Sequence, residues 1–131
     1  MKNITILLAV AAGMLLLSCN NKMYSSNGER IYRTGSNLLG EKLLDRSASR
    51  IRIIHSCSGC HGKTGTRMNN VSIRFSDLSR SVQNGVPYND SLFFRFLDQD
   101  LKSDGSKANI GVLWKMNDKD KQDLLSYLKT L

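Results

Sequence analysis

The sequence predicts a small all-α domain of about four to five helices, and three observations support this fold class. The C-terminal stretch 117–131 begins with Asn117 and acidic residues and then repeats leucine at helical spacing, as in an amphipathic helix. Apolar residues in the stretch 89–101 also fall on one helical face. The sequence contains no alternating β-hairpin pattern and no internal repeat.

Residues 1–18 have the pattern of a secretory signal peptide. Lys2 precedes an uncharged, mostly apolar run that is too short to span a bilayer, and the small residue Ser18 stands before Cys19. The ending LLSC at 16–19 resembles the lipobox of bacterial lipoproteins. This resemblance implies that Cys19 is lipidated and anchors the protein to a membrane of the cell envelope, facing the periplasm. An ordinary secretory leader that contains a cysteine is the alternative.

The chain behind the leader divides into a linker and one domain. Residues 19–29 are polar and without periodicity, which predicts a lipid-anchored flexible linker. Residues 30–131 are enough for a single domain with a modest core.

Positive charge is concentrated in the first half of this domain. The whole chain has 19 basic and 11 acidic residues, a net charge of +8. Residues 29–80 contain ten basic and four acidic residues, whereas residues 81–131 contain seven of each. The surplus favours an acidic partner protein or anionic lipid headgroups, with a solvated face as the simpler interpretation. Nucleic acid is disfavoured, because the leader exports the protein and no basic-aromatic reader pattern is present.

The stretch CSGCH at 57–61 admits four interpretations. A tetrahedral zinc site usually takes two separated ligand pairs, but the candidates here are crowded between His55 and His61. A thioredoxin-like pair would lie at a strand-to-helix junction, and no such strand is evident. A disulfide between Cys57 and Cys60 fits an exported protein, but it closes too small a loop to stabilise much and leaves His61 without a role.

The fourth interpretation uses every residue of the motif. C-x-x-C-H is the attachment signature of c-type haem, and the stretch resembles the cytochrome c family. The resemblance implies one haem c held covalently by Cys57 and Cys60, with His61 as the proximal ligand of the iron. It implies a class I (monohaem) cytochrome c domain and is clear over residues 50–66 and 112–131.

Both ends of the domain resemble helices of this family. Residues 28–32, GERIY, are similar to its first helix, in which a small residue and an aromatic one a turn later let two helices cross closely. The stretch 117–131 is similar to its last helix. Residues at about 34–56 are an insertion relative to the family, predicted to form a short helix and a loop.

Two helices are predicted between the motif and the last helix. The stronger one covers 89–101, with Asn89 or Asp90 as its cap and aromatic residues that would line the haem. The weaker one covers 76–84. The segment directly after the motif is rich in glycine and asparagine and is a predicted loop.

The sequence leaves the sixth ligand of the iron open. The family takes a methionine several residues before the last helix, and this chain has Asn109, Ile110 and Gly111 there. Met116 is the first candidate, although packing against the first helical turn is an equal alternative for it. Met68 is the second candidate. Three lysines, at 102, 107 and 115, could ligate only when deprotonated.

These features predict a membrane-tethered c-type cytochrome that transfers single electrons between redox partner proteins. It is expected to be an electron-transfer protein and not an enzyme, alone or as a subunit of an oxidoreductase complex, because no acid-base pair for catalysis is evident. An open or weak sixth position would instead give a haem-based small-ligand (gas) binding or sensory domain. A third possibility is a lipid-anchored interaction module whose cysteines form a disulfide.

Overall fold

The computed structural model describes residues 23–68, 71–80 and 86–131, and this part of the chain contains five helices and no strands. The all-α prediction is therefore confirmed. The helices are α1 (Asn27–Thr34), α2 (Cys57–His61), α3 (Phe75–Leu78), α4 (Asp90–Gln99) and α5 (Asp118–Leu128). The predicted leader and lipidation site, residues 1–18 and Cys19, lie outside the described residues.

In the described ranges, every helix is shorter or more polar than a membrane-spanning helix would need to be.

Helix α1 begins three residues earlier than the predicted domain. Ser26 is its N-cap and accepts a hydrogen bond from the backbone N–H of Glu29. The carboxylate of Glu29 reaches back to the N–H of Ser25, at 2.8 Å, so the two ends of this turn satisfy each other as in a capping box. Residues 27–29, which the linker prediction included, therefore belong to the helix.

The two predicted helices with asparagine caps are confirmed. Asn89 caps α4 by accepting from the N–H of Leu92, which decides between the two predicted caps. Asn117 caps α5 in the same way. The weaker prediction at 76–84 is a short helix at Phe75–Leu78, and residues 81–85 lie outside the described residues.

Helices α1 and α5 cross in close contact, as the resemblance implied. A Cβ atom added at Gly28 would collide with the backbone carbonyl of Asp123 and lie 2.8 Å from the Cβ of Tyr127. One turn later, the rings of Tyr32 and Tyr127 pack at 5.3 Å between centroids. A small residue is thus required where the two backbones meet.

The insertion contains no helix, so that part of its prediction was wrong. It runs in extended and turn conformation beside the segment before α5. The backbone N–H of Asp45 donates to the carbonyl of Leu113 at 2.9 Å, and the N–H of Ile51 donates to the carbonyl of Gly111 at 2.9 Å. In the other direction, the N–H of Lys115 donates to the carbonyl of Leu43 at 2.8 Å. Backbone partners distant in sequence thus take the place of the helical hydrogen bonds that the predicted short helix would have made.

The core lies between α1, α4 and α5. Its most deeply buried side chains come from α1 and α5, and Phe93 and Leu97 of α4 extend it. Leu43 of the insertion and Met116 complete it. The apolar face predicted for 117–131 is therefore the face that α5 buries.

Candidate functional site

The CSGCH motif folds as a five-residue helix, α2. Cys57 and Cys60 are three residues apart, so they lie on one side of this helix. Both are free thiols. None of the residues of α2 is fully buried, which distinguishes this helix from α1, α4 and α5.

Three contacts fix α2 to the end of α1. The hydroxyl of Tyr32 donates to the carbonyl of Gly62 at 2.7 Å. The hydroxyl of Ser58 donates to the carbonyl of Arg33 at 3.2 Å. Gly35 ends α1 in a left-handed conformation (φ 68°), and a Cβ there would collide with the carbonyl of His55. The chain entering the motif therefore passes directly against the end of α1.

Arg67 covers the C-terminal end of α2. Its guanidinium donates to the carbonyls of Gly59 and Cys60, and its backbone N–H donates to the carbonyl of His61 at 3.0 Å. A cation at this end satisfies helix carbonyls and interacts favourably with the helix dipole. The loop after the motif thus folds back on the motif and holds its shape.

The thiol of Cys57 faces the apolar core. Cys57 packs against the buried cluster that contains Phe93, Leu97 and Met116. Although the residue as a whole is partly exposed, burial of its sulfur raises the pKa of Cys57 to about 12. The thiol is therefore uncharged and placed against apolar side chains.

His61 carries a buried ring nitrogen that has no partner in the described part of the chain. Its Nδ1 atom is enclosed and makes no hydrogen bond there. Burial lowers the pKa of His61, and the positive charge of Arg67 lowers it further. An unpaired buried polar atom costs about 1–3 kcal/mol, and a neutral imidazole is the form that binds metal ions.

Aromatic side chains form a wall beside the motif. The ring of Phe93 packs edge-on against Phe75 and stacks on Phe96, with centroids 6.4 Å apart in both pairs. Tyr88 meets Phe96 edge-on, also at 6.4 Å, and Trp114 joins the same cluster. The rings of Phe75, Phe96 and Trp114 stay partly exposed. They offer apolar surface to a flat hydrophobic group.

The two candidate methionines lie in different surroundings. Met116 is 9% exposed and belongs to the cluster that Cys57 contacts, whereas Met68 is 44% exposed in the loop after the motif. Of the lysine alternatives, Lys115 is exposed and paired with Asp45 at 3.4 Å, and Lys107 is exposed. Lys102 is partly exposed. Of the two methionines, Met116 is the one that belongs to the buried cluster against which Cys57 packs.

The described residues contain no group of three or more histidine, cysteine, aspartate and glutamate side chains close enough to hold a metal ion.

Three features of this site were not predicted from the sequence. Trp114 stands alone between polar and aliphatic residues, Arg67 is one arginine among many, and the insertion contacts a segment more than fifty positions away. The short spacing between His61 and Arg67 is the one pattern that could have indicated that Arg67 caps the C-terminal end of α2.

The chain matches no protein-family model, no curated protein and no solved structure.

Proposed function

We propose that this chain is a membrane-tethered c-type cytochrome that transfers single electrons between redox partner proteins. One observation carries the proposal. The CSGCH motif forms a helix with two free thiols, and its first cysteine packs into the same apolar cluster as Met116 and the aromatic side chains of α3 and α4. The cysteines for attachment, the imidazole of His61 and an apolar surface therefore lie in one region of the domain.

The residues of the site suit a single covalent haem c. Cys57 and Cys60 would hold it through thioether bonds, and His61 would be the proximal ligand of its iron. When bound, the haem supplies a one-electron redox centre whose potential depends on the axial ligands and on the polarity around it. The unpaired ring nitrogen of His61 and the partly exposed rings of Phe75 and Phe96 are the features that fit such a group.

Met116 is the proposed distal ligand. Met116 is buried in the cluster that also contains Phe93 and Leu97, and the insertion holds the backbone that leads into it. A thioether ligand raises the reduction potential, and an occupied sixth position excludes small ligands.

The tether and the charge distribution support a role at a membrane surface. The proposed lipid on Cys19 would anchor the protein at the periplasmic side of a membrane of the cell envelope. Residues 46–76 contain six basic and no acidic residues, and they include the whole CSGCH motif. An acidic redox partner would be steered to the face where the haem is attached, with an affinity that falls as salt rises.

The ferrous absorption spectrum, recorded with and without carbon monoxide, tests the electron-transfer role. The protein is produced in a host that attaches haem to exported proteins. We expect a visible c-type spectrum that the gas leaves unchanged, because both axial positions are occupied. In Met116→Ala the spectrum should become sensitive to carbon monoxide, whereas in the control Met68→Ala it should stay insensitive.

Two results would contradict parts of this proposal. A large spectral response of the unsubstituted protein would favour the gas-binding alternative and exclude a firmly held sixth ligand. A response in Met68→Ala and none in Met116→Ala would assign the distal role to Met68.

A further inference from the structure

Two consecutive leucines of the insertion point into solvent. Leu38 is 66% exposed and Leu39 is 83% exposed, at the tip of the turn that runs from Asn37 to Glu41. Leucine side chains are usually buried, so two adjacent exposed leucines at one turn indicate a site of contact with another surface.

Several hydrogen bonds hold the turn that carries them. Asn37 is itself 3% exposed, and its side-chain oxygen accepts from the N–H groups of Leu39 (3.1 Å) and Glu41 (3.0 Å). The N–H of Gly40 donates to the carbonyl of Asn37 at 3.0 Å, and Gly40 takes the left-handed conformation (φ 81°) that favours glycine. The two leucines are therefore held outward by the fold.

The turn is also fixed beside the start of the domain. The N–H of Leu38 donates to the side-chain oxygen of Asn27 at 2.8 Å, and Asn27 is the first residue of α1. The amide of Asn27 in turn donates to Asp123 of α5 at 2.8 Å. The exposed leucines thus lie where the N-terminal tether joins the folded domain.

We propose that Leu38 and Leu39 form a membrane-contacting tip, which inserts into the surface of the bilayer that the lipidated Cys19 occupies. This inference rests on the proposed lipid anchor. Eight peptide units separate Cys19 from Asn27, a span of about 28 Å at most when fully extended. The tip is therefore always within reach of the interface, and shallow insertion of apolar side chains there removes them from water.

Local charge favours lipid over an acidic partner protein at this tip. The charged residues of the turn are Glu41 and Lys42, and the side chains of Asn37 and Asn27 donate to Asp120 and Asp123 of α5. The basic surplus, which begins at Arg46, therefore does not extend to the tip. Binding through the tip should therefore depend on apolar contact and little on anionic lipid. Two anchoring points, the lipid and the tip, would fix which face of the domain is turned from the membrane.

The test uses the full lipidated chain with haem attached at Cys57 and Cys60, so that neither native thiol competes for the label. One copy is held in each lipid nanodisc, with a nitroxide label on Leu39→Cys. A second sample carries the label on Ile53→Cys, because Ile53 is another exposed aliphatic residue of the insertion at 85% exposure. Accessibility of each label to dissolved oxygen, which concentrates in the acyl region, is compared with accessibility to a water-soluble nickel chelate. We expect the label at 39 to gain oxygen access and lose nickel access relative to the label at 53.

A further variant and two checks make the result decisive. Leu38→Ser, combined with the label at 39, should move the label back toward water without disturbing the core, because both leucines are exposed. A label at 39 that is no deeper than the label at 53 would overturn the proposal. The intact mass of each sample reports acylation of Cys19, so a missing anchor is detected separately from a tip that does not insert. Because each disc holds one copy, contact with a second copy cannot be what shields the label from the nickel chelate.

Discussion

Gly28 sets the distance between α1 and α5. Because a Cβ at this position would overlap the backbone of Asp123, Gly28→Ala must push the two helices apart. We expect the free energy of unfolding to fall by about 2 kcal/mol or more, as overpacking in a core does. Denaturant unfolding of the purified protein measures this loss.

Gly59 provides the matched control. A Cβ there would lie 3.4 Å from the nearest side-chain atom, an ordinary contact, and the residue is helical. Gly59→Ala should leave the free energy of unfolding unchanged or raise it slightly, because alanine has a higher helix propensity than glycine. Equal losses in both variants would show that the crossing is not the cause.

Glu29 gives the first helix an acid-sensitive cap. Its carboxylate accepts hydrogen bonds from the hydroxyl and N–H of Ser25 and from the guanidinium of Arg33, and these bonds lower the pKa of Glu29 to about 2. The ionised form is thus favoured by folding, so its contribution is complete above the ordinary value of 4.5 and is lost as the pH falls toward 2.

Glu29→Gln should therefore cost about 1 kcal/mol of stability at neutral pH, which is typical of one capping interaction. The difference from the unsubstituted protein should shrink as the pH falls from about 4.5 to about 2. Thermal unfolding at a series of pH values measures it. A difference that stays constant over this range would show that the charge of Glu29 has no part in the cap.

At the scale of structural elements, the insertion fixes the position of the segment that leads into Met116. Ser49 is 3% exposed, and its hydroxyl accepts from the N–H of Leu113 at 2.9 Å while lying 3.3 Å from the carbonyl of the same residue. This side chain occupies both backbone groups of Leu113. The segment before α5 has no regular structure of its own, so its position depends on such contacts.

Ser49→Ala should free the N–H of Leu113 and cost about 1–3 kcal/mol, the effect of one buried unpaired donor. Hydrogen exchange at Leu113 should become faster. In the proposed haem-bound form, the reduction potential should also shift, because Met116 would lose its fixed position. Ser47→Ala is the control, since the exposed hydroxyl of Ser47 bonds only to Asp45 among the described residues. Unchanged exchange at Leu113 in Ser49→Ala would rule out this clamp.

Helices with local signals were predictable from the sequence. Asn89 and Asn117 each stand before an apolar stripe, so the cap and the period pointed to the same helix, and α4 and α5 begin where expected. Gly28 was predictable as the crossing point only through resemblance to a family. The first helix was expected at 28–32, but the boundary between linker and domain was set at residue 30, because Ser26 and Glu29 were assigned to a polar linker and not to a helix cap.

The insertion could not be predicted because its partners are distant in sequence. Three of its backbone hydrogen bonds join it to residues 111–115, and a pattern of local periodicity contains no information on such pairing. Asn37 shows the same limit, since it reaches α5 and caps its own turn at once. The predicted short helix failed where these long-range contacts replaced helical hydrogen bonds.

At the scale of the whole molecule, the motif leads to a prediction about chemistry, whereas the arrangement of side chains around the motif could not be predicted from the sequence. The spacing of Cys57, Cys60 and His61 indicated haem without any knowledge of the fold. The structure adds that Cys57 and Met116 share one apolar cluster and that Met68 is exposed, which distinguishes two methionines that the sequence left as alternatives. That a haem is bound, and which methionine would be its ligand, both stay predictions.

The intact mass of the mature chain tests the central claim most directly. The protein should be purified from a host that both attaches haem to exported chains and lipidates them. We predict the mass of residues 19–131 plus acyl groups and one haem, with no thiol left to react at Cys57 or Cys60. The mass of the lipidated polypeptide alone, whether with two reactive thiols or with a disulfide between them, would contradict the account.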